Sequence, residues 1–175
     1  MKKDYWILKA FLYTFFIALF FNTFSNVITN KFDNLVVLIL LTILFIIIGI
    51  IFDIIGTSVL TAEESTFHAK STKKIKGAKE GVYLIKNGST ISSICNDVIG
   101  DICGIVSGSL SAMIGLIISN KINISPVITI LVISSIISSL TVGGKAIGKK
   151  VAIKNSDEII FYVSKLLSKI KKEKW

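Results

Sequence analysis

The sequence lacks arginine altogether: its 20 basic residues are all lysine, and with 11 acidic residues they give a net charge of +9. Because lysine has no planar guanidinium fork for base edges or phosphates, this charge does not indicate a nucleic-acid-binding protein. The single His and the two Cys show no metal-ligand spacing, so no zinc site is predicted. The sequence also shows no glycine-rich phosphate loop, no nucleophile elbow and no catalytic acid–base pair in a soluble pocket. We therefore predict that the protein is not an enzyme.

Long apolar runs dominate the sequence, which contains a single Pro. Hydrophobic residues fill 52% of the 175 positions. A helix needs roughly 20 mainly apolar residues to cross about 30 Å of hydrocarbon. Four stretches meet or approach this length, at about 10–28, 35–62, 91–118 and 126–144. The pair Ser125-Pro126 is a typical helix start for the last of them. We therefore predict an all-α polytopic membrane protein, with a transmembrane domain over 1–155 built from four transmembrane helices.

The distribution of lysine predicts the orientation of these helices. Of the 20 lysines, 18 lie before the first stretch, between the second and third, or after the fourth. Only Lys31 and Lys121 lie in the other two loops. Because cytoplasmic loops carry an excess of lysine, we expect both termini and the loop 63–90 to be cytoplasmic, with the protein in the inner (plasma) membrane.

Two amphipathic helices are predicted in the cytoplasm next to the membrane. One ends at Asn87-Gly88, a pair typical of helix ends. The other occupies 156–175, where apolar residues recur at helical spacing opposite lysines, as in helices that lie on an anionic inner leaflet or against a partner. Its apolar positions are Ile159, Ile160, Val163, Leu166, Leu167 and Ile170.

The third apolar stretch contains two acidic residues one helical turn apart, Asp97 and Asp101, preceded by Asn96. A carboxylate near the centre of a bilayer costs about 2.5 to 3.5 kcal/mol on insertion scales. No lysine lies within any predicted membrane stretch to neutralise the pair. A bound cation, a proton or a water-filled cavity would be needed to stabilise them.

A second polar pattern runs along the end of the second stretch, where Asp53, Thr57, Thr61 and Glu64 form one stripe of a helix. At 1.5 Å per residue, Asp53 lies about 14 Å and Asp101 about 15 Å below the predicted helix ends. The two helices would thus present oxygen ligands at one depth, as Mg²⁺ or another hard cation prefers. Alternatively, these groups face a cytoplasmic water pocket and only hold helices together.

Short motifs within about 50–170 resemble the transmembrane domain of the CNNM/CorC magnesium transport family. Thr57, Thr61 and Glu64 stand in GTSVLTAEES, where the family has two serines and a glutamate. Cys95, Asn96 and Asp97 stand in place of a Gly-Asn-Asn-like motif. The juxtamembrane pattern of the family is matched by Lys150, Ala152 and Glu158, with Gly148 in place of its Pro. The sequence has an additional first helix and no match to the CBS pair of that family.

The resemblance implies a homodimer in which Thr57, Thr61, Asn96 and Asp97 hold a dehydrated Mg²⁺. This resemblance and the additional acids Asp53, Glu64 and Asp101 predict a membrane protein that transports or binds a divalent cation, with Mg²⁺ favoured. Two alternatives stay open on the sequence alone. One is a small accessory or immunity-type membrane protein, and the other is the substrate-binding subunit of an energy-coupling vitamin transporter.

Overall fold

The computed structural model describes residues 11–20, 23 and 34–170, and all regular structure in these ranges is helical. A π-helical segment, Ile94–Gly100, lies between two of the helices. The helices are α1 (Phe11–Phe20), α2 (Leu35–Thr61), α3 (Glu64–Thr72), α4 (Ala78–Lys86), α5 (Gly88–Ser93), α6 (Asp101–Ile122), α7 (Pro126–Lys154) and α8 (Ser156–Ile170). The predicted all-α fold is confirmed for this part of the chain.

Among the described residues, three helical stretches are long and apolar enough to cross a membrane: Leu35–Thr61, Gly88–Ile122 and Pro126–Lys154. They correspond to the second, third and fourth predicted crossings. Of the first predicted crossing, 10–28, the structure describes residues 11–20 and 23, and Phe11–Phe20 is an apolar helix. The protein therefore has several helices able to span a membrane.

Two helix ends differ from those expected. α7 continues to Lys154 instead of ending near 144, because no Pro follows Pro126 and an interior Gly costs only about 1 kcal/mol. The predicted stripe of Asp53, Thr57, Thr61 and Glu64 requires one continuous helix, but the helix is interrupted between Thr61 and Glu64. At this break Glu63 is extended, and its backbone N–H donates to Asp157 Oδ1 at 2.9 Å.

The chain divides into two compact units, and both α2 and α7 contribute to each of them. The first unit takes the described residues up to Gly49 together with Val98–Gly144. The second takes Ile50–Asp97 together with the described residues from Lys145 onward. The predicted division at 155/156 concerns position relative to the membrane and stays a prediction.

The first unit packs α2 against α6 through apolar side chains, and α6 against α7 through small ones. A Cβ on Gly49 would lie 3.1 Å from Cys103 Cβ, and one on Gly115 would lie 2.8 Å from Ile130 Cα. Helices in lipid associate through such close packing, because lipid tails are as apolar as the side chains. The buried core consists of Leu38, Phe45, Ile102, Cys103, Val106, Leu110 and Ile114.

The second unit packs the short helices around an apolar core of Val59, Phe67, Leu84 and Ile160. α4 lies against both α3 and α8. Gly81 on α4 contacts the Phe67 ring so closely that a Cβ there would overlap it. The helix predicted to end at Asn87 is confirmed as α4, whose C-cap is Asn87.

The buried face of α8 includes part of the predicted apolar face, since Ile160 is buried and Val163 and Leu167 pack against the core of the second unit. Its most buried residues are Ser156, Ile160, Ser164 and Ser168, which recur every four positions. Of the predicted apolar positions, Ile160 is buried, whereas Leu166 and Ile170 are exposed. Serine is favoured on the packed face because small side chains let another helix backbone approach closely, as the contact between Gly77 and the backbone of Lys165 illustrates.

Candidate functional site

The second unit contains a buried carboxylate on α2, that of Asp53, which is only 3% exposed. One of its oxygens, Oδ1, lies 4.0 Å from Lys149 Nζ on α7. No described residue donates a hydrogen bond to the other oxygen, Oδ2, which is also buried. Buried polar atoms in proteins nearly always have a partner, so this oxygen calls for a cation, a water or a proton.

The π-helical segment brings Asn96 against α2 within the same unit. A Cβ on Gly56 would lie 2.7 Å from Asn96 Cγ and 3.0 Å from Cys95 Cβ, so only glycine leaves room for this side chain. A π-helical segment widens the helix by one residue and re-aims the side chains after it, and such segments are frequent at functional sites. This close contact fixes the Asn96 amide on the surface of α2.

The Asn96 side chain is oriented by a neighbour one turn earlier on its own helix. Its Nδ2 donates to the Oγ of Ser92 at 3.2 Å, and Ser92 is itself buried. The amide oxygen Oδ1 is buried and has no hydrogen-bond donor among the described residues. The amide thus presents an unpaired oxygen while its nitrogen is already engaged.

These two unpaired oxygens are associated with neighbouring turns of α2. Gly56, against which Asn96 packs, follows Asp53 by three positions and therefore lies on the same side of α2, one turn along. Thr57 is half-buried on the next position. A carboxylate oxygen and an amide oxygen, both buried and unpaired, are ligands that Mg²⁺ and Ca²⁺ prefer.

The other predicted ligands lie in less buried places. Thr61 is exposed, and its hydroxyl donates to the Thr57 carbonyl at 3.1 Å. Glu64 starts α3 instead of continuing the α2 stripe, and its Oε1 lies 2.9 Å from His68 Nε2 and 3.8 Å from Lys86 Nζ. Asp97 and Asp101 both have exposed side chains, and Asp101 belongs to the first unit.

Carboxylates alone do not form a chelating group in the described ranges. No three His, Cys, Asp or Glu side chains there lie close enough together to hold a metal ion. Any cation held at Asp53 must therefore take amide, hydroxyl or water oxygens as its further ligands.

A polar cavity of about 440 Å³ lies elsewhere in the second unit, at the end of α2. Its lining includes Thr61 and three acidic residues, Glu63, Asp157 and Glu158. The remaining lining residues are Ile153, Lys154, Asn155 and Ser156. A negatively charged cavity next to a predicted ligand can concentrate cations near it.

Three residues at this site were not predicted from the sequence. Lys149 was placed outside the membrane stretch, although the structure continues α7 through it. Ser92 had no distinguishing pattern, because its role depends on the orientation of Asn96. Gly56 could have been identified as a close-contact glycine, since it lies one turn after Asp53 and one residue before Thr57.

No family model matches the sequence, and no curated protein or solved structure matches it either. The resemblance to the CNNM/CorC family therefore stays a prediction.

Proposed function

We propose that this protein binds a divalent cation between its membrane-spanning helices and moves it across the membrane, with Mg²⁺ as the favoured ion. The proposal rests on one observation above the others. Asp53 Oδ2 and Asn96 Oδ1 are both buried and both lack a hydrogen-bond donor in the described part of the second unit.

The chemistry of these oxygens favours Mg²⁺. This ion is usually bound through one or two carboxylates and keeps several of its waters. Asp53 supplies the carboxylate, Asn96 the neutral amide oxygen, and Thr57, a half-buried residue one turn after Asp53, a hydroxyl. In this proposal, those three residues are the inner ligands.

The remaining predicted ligands take outer positions in the proposal. Thr61 belongs to the acidic cavity, which serves as the mouth of the site and gathers cations before they reach Asp53. Glu64, engaged with His68 and Lys86, lies on the surface beside that mouth. Asp97 and Asp101 are exposed and add negative charge without contacting the bound ion.

The membrane location, lipid contacts and oligomeric state predicted from the sequence are also part of the proposal. We propose that the protein lies in the inner membrane with both termini in the cytoplasm, and that its lysines contact anionic lipid. Exposed apolar side chains along α7, such as Leu131, Ile136 and Leu140, would contact lipid tails. We also propose a homodimer, for which α6 has open surface: a Cβ on Gly104 or Gly108 would meet no atom of the described chain within 4 Å.

One observation favours a second candidate function. The contact between Asp53 and Lys149 can be a permanent ion pair that holds α2 to α7. The protein would then be an accessory membrane protein without an ion site of its own. In that case added divalent cations would not change its stability.

The test is thermal unfolding of the purified full-length protein in detergent while Mg²⁺ is titrated. We expect saturable stabilisation, of about 2.7 kcal/mol when Mg²⁺ reaches 100 times its Kd. A matched titration with Na⁺ at equal ionic strength controls for screening of the lysine-rich surface. Equal responses to the two salts would contradict the proposed ion site and favour the accessory function.

A further inference from the structure

The position of Lys149 leads to an inference about how the proposed cation site is controlled. Its Nζ lies 4.0 Å from Asp53 Oδ1, which is longer than a hydrogen bond. Asp53 Oδ2 stays without a donor in the described chain. The ammonium group therefore neutralises the charge of the Asp53 carboxylate only in part.

The two partners of this pair differ in exposure. The side chain of Asp53 is 4% exposed, whereas that of Lys149 is 54% exposed. A lysine that is half in solvent can rotate its ammonium group into water at small cost, because its flexible stem lets the head leave while the backbone stays in place. Asp53 has no such freedom, since its carboxylate is enclosed by packed helices.

The backbone at Lys149 is held firmly even though its side chain is half exposed. The preceding residue, Gly148, is buried against α2, where a Cβ would lie 2.9 Å from Ile54 Cγ1. One turn further along α7, the carbonyl of Ala152 accepts a hydrogen bond from Ser58 Oγ at 3.5 Å. The stem of Lys149 is thus anchored beside Asp53, and only the ammonium group needs to move.

We propose that Lys149 is the internal competitor for the cation site. Its ammonium group neutralises Asp53 when no divalent cation is bound and moves into solvent when one binds. This inference rests on the proposed function and adds a residue that sets the ion affinity. A divalent ion, with its higher charge and shorter contact, displaces the ammonium group, whereas a monovalent ion offers no more charge than the lysine itself.

The first experiment measures Mg²⁺ affinity by calorimetry for the wild type, Lys149→Met and Lys150→Met. If the pair is closed in roughly nine of ten ion-free molecules, Lys149→Met should bind Mg²⁺ about tenfold more tightly than the wild type. Lys150→Met removes the same charge from the same helix turn, one position after the lysine that contacts Asp53. Its affinity should change less than twofold, which separates competition at the site from the general field of the lysines.

The second experiment needs no variant. Amine-reactive labelling of the wild type, read by mass spectrometry, should be faster at Lys149 when Mg²⁺ is present and unchanged at Lys150. Unchanged labelling of Lys149 in saturating Mg²⁺, or no tighter binding in Lys149→Met, would overturn the inference while leaving the ion site intact. Absence of Mg²⁺ binding in both the wild type and Lys149→Met would instead overturn the proposed function and this inference with it.

Discussion

Replacing Asp53 with Asn is expected to abolish stabilisation by Mg²⁺. The substitution keeps the size of the side chain and removes its charge, so the one carboxylate among the inner ligands is lost. We expect Mg²⁺ affinity to fall at least 100-fold, which corresponds to about 2.7 kcal/mol. The measurement is the same Mg²⁺ titration of thermal unfolding, together with Mg²⁺ uptake into liposomes, which should fall to background.

The stability of the ion-free variant distinguishes a binding role from a structural one. Breaking a well-formed buried ion pair usually costs 3–5 kcal/mol because a charge is left buried. Here the group left behind is Lys149, whose side chain is 54% exposed and can reach water. We therefore expect Asp53→Asn to unfold at the wild-type temperature or above it when no divalent ion is present.

The control for this prediction is Asp97→Asn. Asp97 has an exposed side chain, so its loss should leave the affinity for Mg²⁺ nearly unchanged. If Asp97→Asn lost binding and Asp53→Asn retained it, the ion would be bound at the π-helical segment and the assignment to Asp53 would be wrong.

The second large effect is expected from Gly56→Ala. The added methyl group would overlap the Asn96 side chain and approach Cys95 Cβ to 3.0 Å, so the amide must leave its position on α2. Overpacking of this kind usually costs 1–3 kcal/mol. We expect a fall in unfolding temperature together with loss of Mg²⁺ binding.

A double variant separates these two consequences. Gly56→Ala combined with Asn96→Ala removes the overlapping side chain, so stability should recover while Mg²⁺ binding stays absent. Gly143→Ala is the matched control, because a Cβ there meets no atom of the described chain within 4 Å. It should be neutral or slightly stabilising, since Ala is the better helix former. Full recovery of Mg²⁺ binding in the double variant would exclude Asn96 as a ligand.

The features that could be predicted from sequence are those that depend on one segment at a time. The uncharged run from Leu35 is long enough to require a helix, and Pro126 marks a helix start in the structure as in the sequence. α4 is amphipathic and ends at Asn87. Each of these depends on local composition, on periodicity or on a helix-end residue.

The features that could not be predicted depend on contacts between segments. A π-helical segment leaves no periodic signal, so the exposure of Asp97 could not be predicted, and Asn96 was identified only through the family resemblance. The lysines after 144 predict an end of the fourth helix there, whereas α7 continues to Lys154. The same error hid Lys149, and with it the fact that Asp53 has a cationic neighbour.

The most direct test of the central claim is an experimental structure of the protein with Mg²⁺ bound, or with Mn²⁺ as an anomalous substitute. We predict ordered ion density contacting Asp53 Oδ2 and Asn96 Oδ1 at about 2.1 Å in octahedral geometry, with Lys149 turned into solvent. Absence of ion density between Asp53 and Asn96 at a saturating ion concentration, with Lys149 still paired to Asp53, would contradict the proposed site.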